Sequence, residues 1–159
     1  MKDYKEINIL LKNYFDALRA LKNAEITSNK KDFTCQIGEW LVSEIYEGTR
    51  AFSGIQKDWD IDLNGKKIQV KTHAKAIGNK NRWSAIKYNE QANIDELIIV
   101  VFTEHYQLRE FYKIPWQGAL KLIRRNKDRD IIRWDDVLRI KLTDLPNQPL
   151  ISLFIPSED

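Results

Sequence analysis

In the stretch DWDIDLNGKKIQVKT, residues 58–72, acids, an amide and lysines are spaced around a single Asn-Gly pair. Side chains alternate along a strand, so Asp60 and Asp62 share one face while Trp59, Ile61 and Leu63 take the other. Beyond the turn, Gln69 and Lys71 share a face opposite Ile68 and Val70. Closing the strands on Asn64-Gly65 puts Ile61, Leu63, Ile68 and Val70 on a common core side, which gathers Asp60, Gln69 and Lys71 on the other. Oxygen ligands and an ammonium in one cluster suit phosphodiester hydrolysis. Magnesium prefers oxygen donors, keeps several waters, and is held by one or two carboxylates together with substrate phosphate. Such an ion lowers the pKa of a bound water, and a nearby lysine orients that water and neutralises charge developing on the phosphate.

The elements that must position these residues follow from periodicity and turn chemistry. An Asn-Gly pair between alternating runs predicts a tight hairpin, because both residues tolerate the positive φ it demands. Upstream, Phe33, Ile37, Trp40, Leu41 and Ile45 follow helical spacing, with Gly48 as the expected stop. Glu39 falls close to that buried stripe, where a carboxylate needs a partner or a use; the plainer alternative is a flank acid in water. Tyr4, Ile7, Leu11, Tyr14, Phe15, Leu18 and Leu21 mark an earlier helix, about 4–22, expected to pack either within the chain or against a second copy. A short extended stretch is expected near residues 49–54, and ELIIVVFT, without polar alternation, predicts a fully buried central strand. RWSAIKY and LREFYKIP are expected as strands, the latter stopped by Pro115. Residues 116–125 and 135–140 are expected to be helical, and 149–156 to be a late strand or a docked tail. The sum is a single α+β domain over 1–159, an α/β/α-like sandwich with a mixed central sheet.

Composition narrows the function classes. A chain of 159 residues with ordinary apolar content and few Gly and Pro is one globular domain, not a disordered chain or a repeat array. The first residues lack the uninterrupted apolar run of a signal peptide or membrane span, so a cytoplasmic protein without a membrane partner is expected. Cys35 is the only cysteine, which rules out an intrachain disulfide; with only His73 and His105 a structural zinc has too few ligands. Cys35 is expected to be a small buried apolar residue. Net charge is only +3, but its distribution is uneven. Residues 63–89 hold Lys66, Lys67, Lys71, Lys75, Lys80, Arg82 and Lys87 and no acid, a field that attracts polyanions. A solvated lysine-rich strand and loop is the bland alternative. His73, on the Lys71 face, is a candidate phosphate contact or proton carrier, or simply a polar strand end. Trp83 beside Arg82 is either a stacking platform or core.

The pattern resembles the PD-(D/E)XK nuclease superfamily, the restriction endonuclease-like proteins. In that family a helical Glu precedes an Asp on one strand, a short hairpin, and an acid-x-Lys on the next. Here Glu39 in IGEWLVSEIYEG, Asp60 in DIDLNG, Gln69 in the acid position and Lys71 fit those places, and the resemblance spans about residues 33–115. A C-terminal extension, 116–159, lies outside it. The resemblance implies a Mg2+-dependent endodeoxyribonuclease, with Mn2+ as substitute, serving restriction or defence. Glu39, Asp60 and Gln69 would hold the metal and Lys71 would activate the water. It also implies double-stranded DNA held by Lys66, Lys67, His73, Lys75, Lys80, Arg82 and Lys87, and a homodimer to cut both strands. Gln69 departs from the pattern: its carbonyl oxygen can ligate a hard cation but brings no charge. A nucleic-acid-binding or scaffold domain that kept this fold without catalysis is therefore the alternative.

Overall fold

The computed structural model describes residues 4–28, 32–51 and 58–156. Its centre is the strand predicted from ELIIVVFT. β5 (Glu96–Phe102) is buried at every residue, and it can be because each face meets a separate apolar layer. The sheet runs β1 (Thr49–Arg50), β2 (Ile61–Leu63), β3 (Lys66–Ala74), β5, β6 (Leu108–Pro115) and β8 (Arg139–Ile140). β3 and β5 are parallel and the other pairs antiparallel, giving a mixed but mostly antiparallel sheet. Four α-helices among the described residues complete an α+β fold.

On one face lies α2 (Phe33–Tyr46), whose Ile37, Leu41, Val42 and Ile45 pack on Ile68, Val70, Ile98, Val100 and Phe102. The other face is covered by α3 (Trp116–Leu122) and a small two-stranded sheet of β4 (Trp83–Ala85) and β7 (Ile131–Arg133). Each fully buried Leu or Ile of β5 contributes about 1.5–3 kcal/mol of transfer free energy. The hairpin forms as the alternation requires. Asn64 and Gly65 take positive φ, 53° and 89°, and Ile61 faces Ile68 with both side chains fully buried.

α2 is docked unusually closely on β3. A Cβ on Gly38 would lie 1.8 Å from Thr72 Oγ1 and 2.7 Å from Thr72 Cβ, so only glycine fits. Gly48 does a similar job further along. The left-handed residue that ends α2 is Glu47, φ 56°, whereas a Cβ on Gly48 would meet Ile61 Cγ2 at 2.7 Å. The expected glycine stop is thus a close-approach glycine, one position beyond the residue that turns the chain.

Several expectations are corrected. α1 (Tyr4–Asn23) is a helix, but none of its residues is buried, and Tyr4, Ile9 and Leu10 are exposed. The core on the α2 side of the sheet is closed by Leu145 and Ile151, with Phe154 packed against them. Residues 135–140 are not an α-helix: one 3-10 turn, Trp134–Asp136, leads into β8, because Trp134 anchors the turn in the core while Arg139 and Ile140 pair with Tyr112 and Phe111. Residues 149–156 are not a strand: they begin inside α4 (Gln148–Ser152) and dock on the core through Leu150, Ile151 and Phe154, the second of the two expected alternatives. Asn147 caps that helix by accepting from the Leu150 N–H, and Pro149 sits in its first turn, where a missing N–H is harmless. RWSAIKY yields only the three residues of β4, and of residues 49–54 only Thr49–Arg50 form a strand, 52–57 lying outside the described residues. No helix among the described residues is long and apolar enough to cross a membrane.

Gly38→Ala is expected to destabilise the fold by about 1–3 kcal/mol, because the β-branched Thr72 beneath it has no rotamer that clears the added methyl. Urea unfolding followed by tryptophan fluorescence measures this; an unchanged midpoint would show that α2 slides on β3 without penalty.

Candidate active site

β2 pairs with β3 only from Lys66 to Ile68, whereas β5 pairs with β3 as far as Ala74. The strand therefore has an edge beyond Ile68 that no other strand among the described residues occupies. Asp60 sits at the point of departure. Its N–H still donates to Ile68 O at 2.8 Å, and its Oδ2 accepts the Val70 N–H at 2.8 Å, so a carboxylate continues the ladder where the backbone has left it. Asp60 is thereby fixed beside Gln69.

This edge opens into a cavity of about 360 Å3 lined by Glu39, Asp60, Gln69, Lys71 and His73 together with Cys35, Val70, Thr72 and Ala85. All four residues of the expected catalytic set thus line one space. Glu39 reaches it because α2 lies over β3 at Gly38, one residue earlier, and it is buried to 6% exposure. Glu39, Asp60 and Gln69 offer oxygen donors alone, the donor type a hard divalent cation takes. Gln69 brings an uncharged oxygen, and among the described residues no group of three or more His, Cys, Asp or Glu is arranged to hold a metal.

The basic stretch separates into paired and unpaired cations. Lys66 pairs with buried Glu96, and Lys67 pairs with Asp62 and lies over the Trp59 ring at 4.3 Å. The turn claims Asp62 as well, since its Oδ1 accepts the Gly65 N–H at 2.6 Å, and it does not line the cavity. The Lys67 ammonium beside Asp62 holds its carboxyl below the usual range. Arg82 is committed inside the protein. Its Nη1 donates to both Glu110 oxygens at 3.0 and 3.1 Å, Nη2 to the Tyr112 hydroxyl, and Nε to Asp135. Burial, and then the neighbouring Glu110, push the Tyr112 hydroxyl up to about 12. Lys75 donates to Asn81 O at 2.8 Å, near the rings of Trp83 and Trp134, and burial lowers its pKa. Lys71, Lys80 and Lys87 make no ion pair among the described residues. Of these, Lys71 is the one in the Glu39–Asp60–Gln69 cavity.

His73 lines the same space but is not poised as a proton carrier. Burial, reinforced by the charges of Lys75 and Lys71, pushes its pKa down to about 4, so it is neutral at pH 7. Ser84, fully buried, accepts from Trp134 Nε1 at 2.9 Å and lies 2.7 Å from His73 Nε2. With a neutral ring, the arrangement that satisfies every group has the Ser84 hydroxyl donating to Nε2 and the proton on Nδ1. Cys35, expected to be buried and apolar, is half-buried at the cavity wall, with Sγ 3.2 Å from Asp32 Oδ2, the carboxylate that caps α2. Helical spacing from Glu39, one turn away, was the signal that would have placed it there.

No family model and no curated protein matches this chain.

His73 makes stability depend on pH in a known direction. Between pH 6.5 and about 4 the unfolded imidazole is protonated while the folded one is not, so the stability held above pH 6.5 is lost as pH falls, by up to about 3 kcal/mol. His73→Gln keeps an acceptor for Ser84 but does not titrate. Comparing urea unfolding at pH 7 and pH 4.5, the variant is expected to lose less stability than the wild type; equal losses would show that His73 is not the group responsible.

Proposed function

We propose that the protein is a divalent-metal-dependent phosphodiesterase acting on DNA, an endodeoxyribonuclease with a restriction endonuclease-like core serving restriction or defence. The observation that carries this reading is Lys71: a cation without an ion pair among the described residues, in one cavity with the oxygens of Glu39, Asp60 and Gln69. A lysine that lines a polar cavity with carboxylates yet pairs directly with none of them supports an anionic ligand, bridged to those acids by a cation, that completes the site.

The donor set fits Mg2+ or Mn2+, and Glu39, Asp60 and Gln69 are the residues that would hold it. When bound, such an ion supplies Lewis acidity and an acidified water. Asp60 keeps its orientation through the Val70 N–H, which donates to its Oδ2. Lys71 neutralises charge on the phosphate and orients the attacking water. His73 presents a neutral ring to the same space and is a hydrogen-bonding neighbour of the phosphate, not its base. Lys80 and Lys87, exposed and without ion pairs among the described residues, extend the positive surface along the backbone of the nucleic acid. A two-fold pair of chains joined through the uncovered apolar face of α1 would bring a site to each strand of a duplex.

Gln69 favours a second reading, a nucleic-acid-binding domain that does not cut. With only two carboxylates at the site, less charge is available to offset dehydration of magnesium.

Plasmid and duplex oligonucleotide cleavage in Mg2+ or Mn2+ separates the two. Lys71→Ala and Asp60→Ala are each expected to lower the cleavage rate by at least about a hundredfold with folding intact, and Gln69→Glu to lower the metal concentration needed. Salt-sensitive DNA binding without cleavage in any metal would favour the binding domain.

A further inference from the structure

A second cavity, of about 350 Å3, lies against the first and shares with it Gln69, Lys71 and Ala85. It runs beneath the β4–β7 layer and adds two cations, Lys87 and Arg129, which make no ion pair among the described residues. Arg129 comes from the loop between α3 and β7, far from the acid-free stretch in sequence. Its guanidinium is exposed and lies 5.8 Å from the Trp83 ring. The inner wall is apolar: Ile86 and Trp116 are buried, and Ile94 and Ala92 pack against the same core. Polar atoms stand around that wall. Asp130 accepts the Tyr88 N–H at 2.9 Å, and Asp58 accepts the Asn93 N–H at 3.2 Å, so both carboxylates are fixed in place with acceptor capacity left.

This composition does not suit a bare phosphate, which needs neither an apolar wall nor acids. Nor does it suit an apolar ligand, which needs no cations at the mouth. A nucleotide has both parts: a phosphate for Lys87 and Arg129, and a base with flat apolar faces and exocyclic N–H donors for the wall and its carboxylates. The volume is at the lower end of the about 300–1,000 Å3 usual for small-ligand sites. A strand whose phosphate lies at Lys71 has two directions in which to continue, and one of them enters this cavity.

We infer that the second cavity is a nucleotide subsite that takes the residue next to the scissile phosphate, with Arg129 and Lys87 on its phosphate and its base unstacked against the Ile86–Ile94–Trp116 wall. The inference rests on the nuclease reading for the word scissile, but the binding of one unstacked nucleotide beside Lys71 can be tested without turnover. Proteins that read single bases commonly do so by drawing them out of the stack into a pocket.

The test uses the full chain and a fluorescein-labelled single-stranded DNA oligonucleotide in calcium, with an abasic position stepped along the strand. The expected result is one position whose loss weakens binding by about tenfold, in the range of single-base contacts. Arg129→Ala and Lys87→Ala are each expected to reduce the slope of log affinity against log salt by about 0.7, as for a lost contact on a single strand. Ala92→Trp, which fills the cavity from its wall, is expected to abolish the dependence on the abasic position. Circular dichroism and the unfolding midpoint confirm that each variant is folded. A flat abasic scan, or salt slopes unchanged in both cation variants, would overturn the subsite, as would a wild-type chain that does not bind. A positive scan from a protein that cuts nothing in Mg2+ or Mn2+ would leave the subsite standing and remove the nuclease reading.

Discussion

One hydrogen bond decides how the site is organised: the Val70 N–H donates to the Asp60 carboxylate and not to another strand. A backbone donor at a sheet edge must find a partner, and the partner fixes what can lie beside that edge. Had β2 continued alongside β3, the space next to Gln69 and Lys71 would have been filled by backbone. Because a side chain takes the bond, the strand edge is satisfied and still open. The close seat of α2 at Gly38 then brings Glu39 to the same opening from the opposite layer. The candidate site depends on two local contacts, one polar and one steric, each made by a residue adjacent in sequence to one that lines the cavity.

Much of this was legible in the sequence because the relevant signals are local. Alternation of Ile61, Leu63, Ile68 and Val70 around Asn64-Gly65 is sufficient to gather Asp60, Gln69 and Lys71, and the all-apolar run of β5 demands cover on both faces. Less was legible where tertiary partners decide. Residues 135–140 place acids ahead of an apolar-basic run as a helix start does, but Trp134 is drawn into the core and β6 offers an edge to Arg139 and Ile140. The stripe of α1 has the spacing of a packing helix, yet the core on the α2 side is closed by residues more than a hundred positions later, Leu145, Ile151 and Phe154. No local pattern reports that competition.

Charge was legible as a sum but not as an allocation. The acid-free run of residues 63–89 reads as one basic patch, and in the folded chain it divides by partner. Arg82 is absorbed by Glu110, Asp135 and Tyr112, and Lys66 and Lys67 by Glu96 and Asp62. Those carboxylates lie up to fifty-three residues from their cations. Such pairs at partly exposed positions contribute modestly to stability. Their larger effect is to neutralise three of the seven cations of the run, Lys66, Lys67 and Arg82, and leave Lys71, Lys75, Lys80 and Lys87 without ion pairs among the described residues. Arg129 shows the converse: it sits in a distant stretch of mixed charge, RRNKDRD, and it lines the second cavity because the α3–β7 loop folds there.

The open edge of β3 also bears on how these chains behave towards one another. Unpaired strand edges invite a strand from a second molecule, and proteins commonly discourage this with lysines or a covering segment. Here the free stretch from Gln69 to Ala74 is short, its first N–H is already taken by Asp60, and it carries Lys71 midway. A second copy annealing to it would bring two such ammonium groups together and strip both of water. The lysine of the candidate site therefore also protects the sheet from growing, so replacing it by an apolar side chain exposes the chain to intermolecular strand addition.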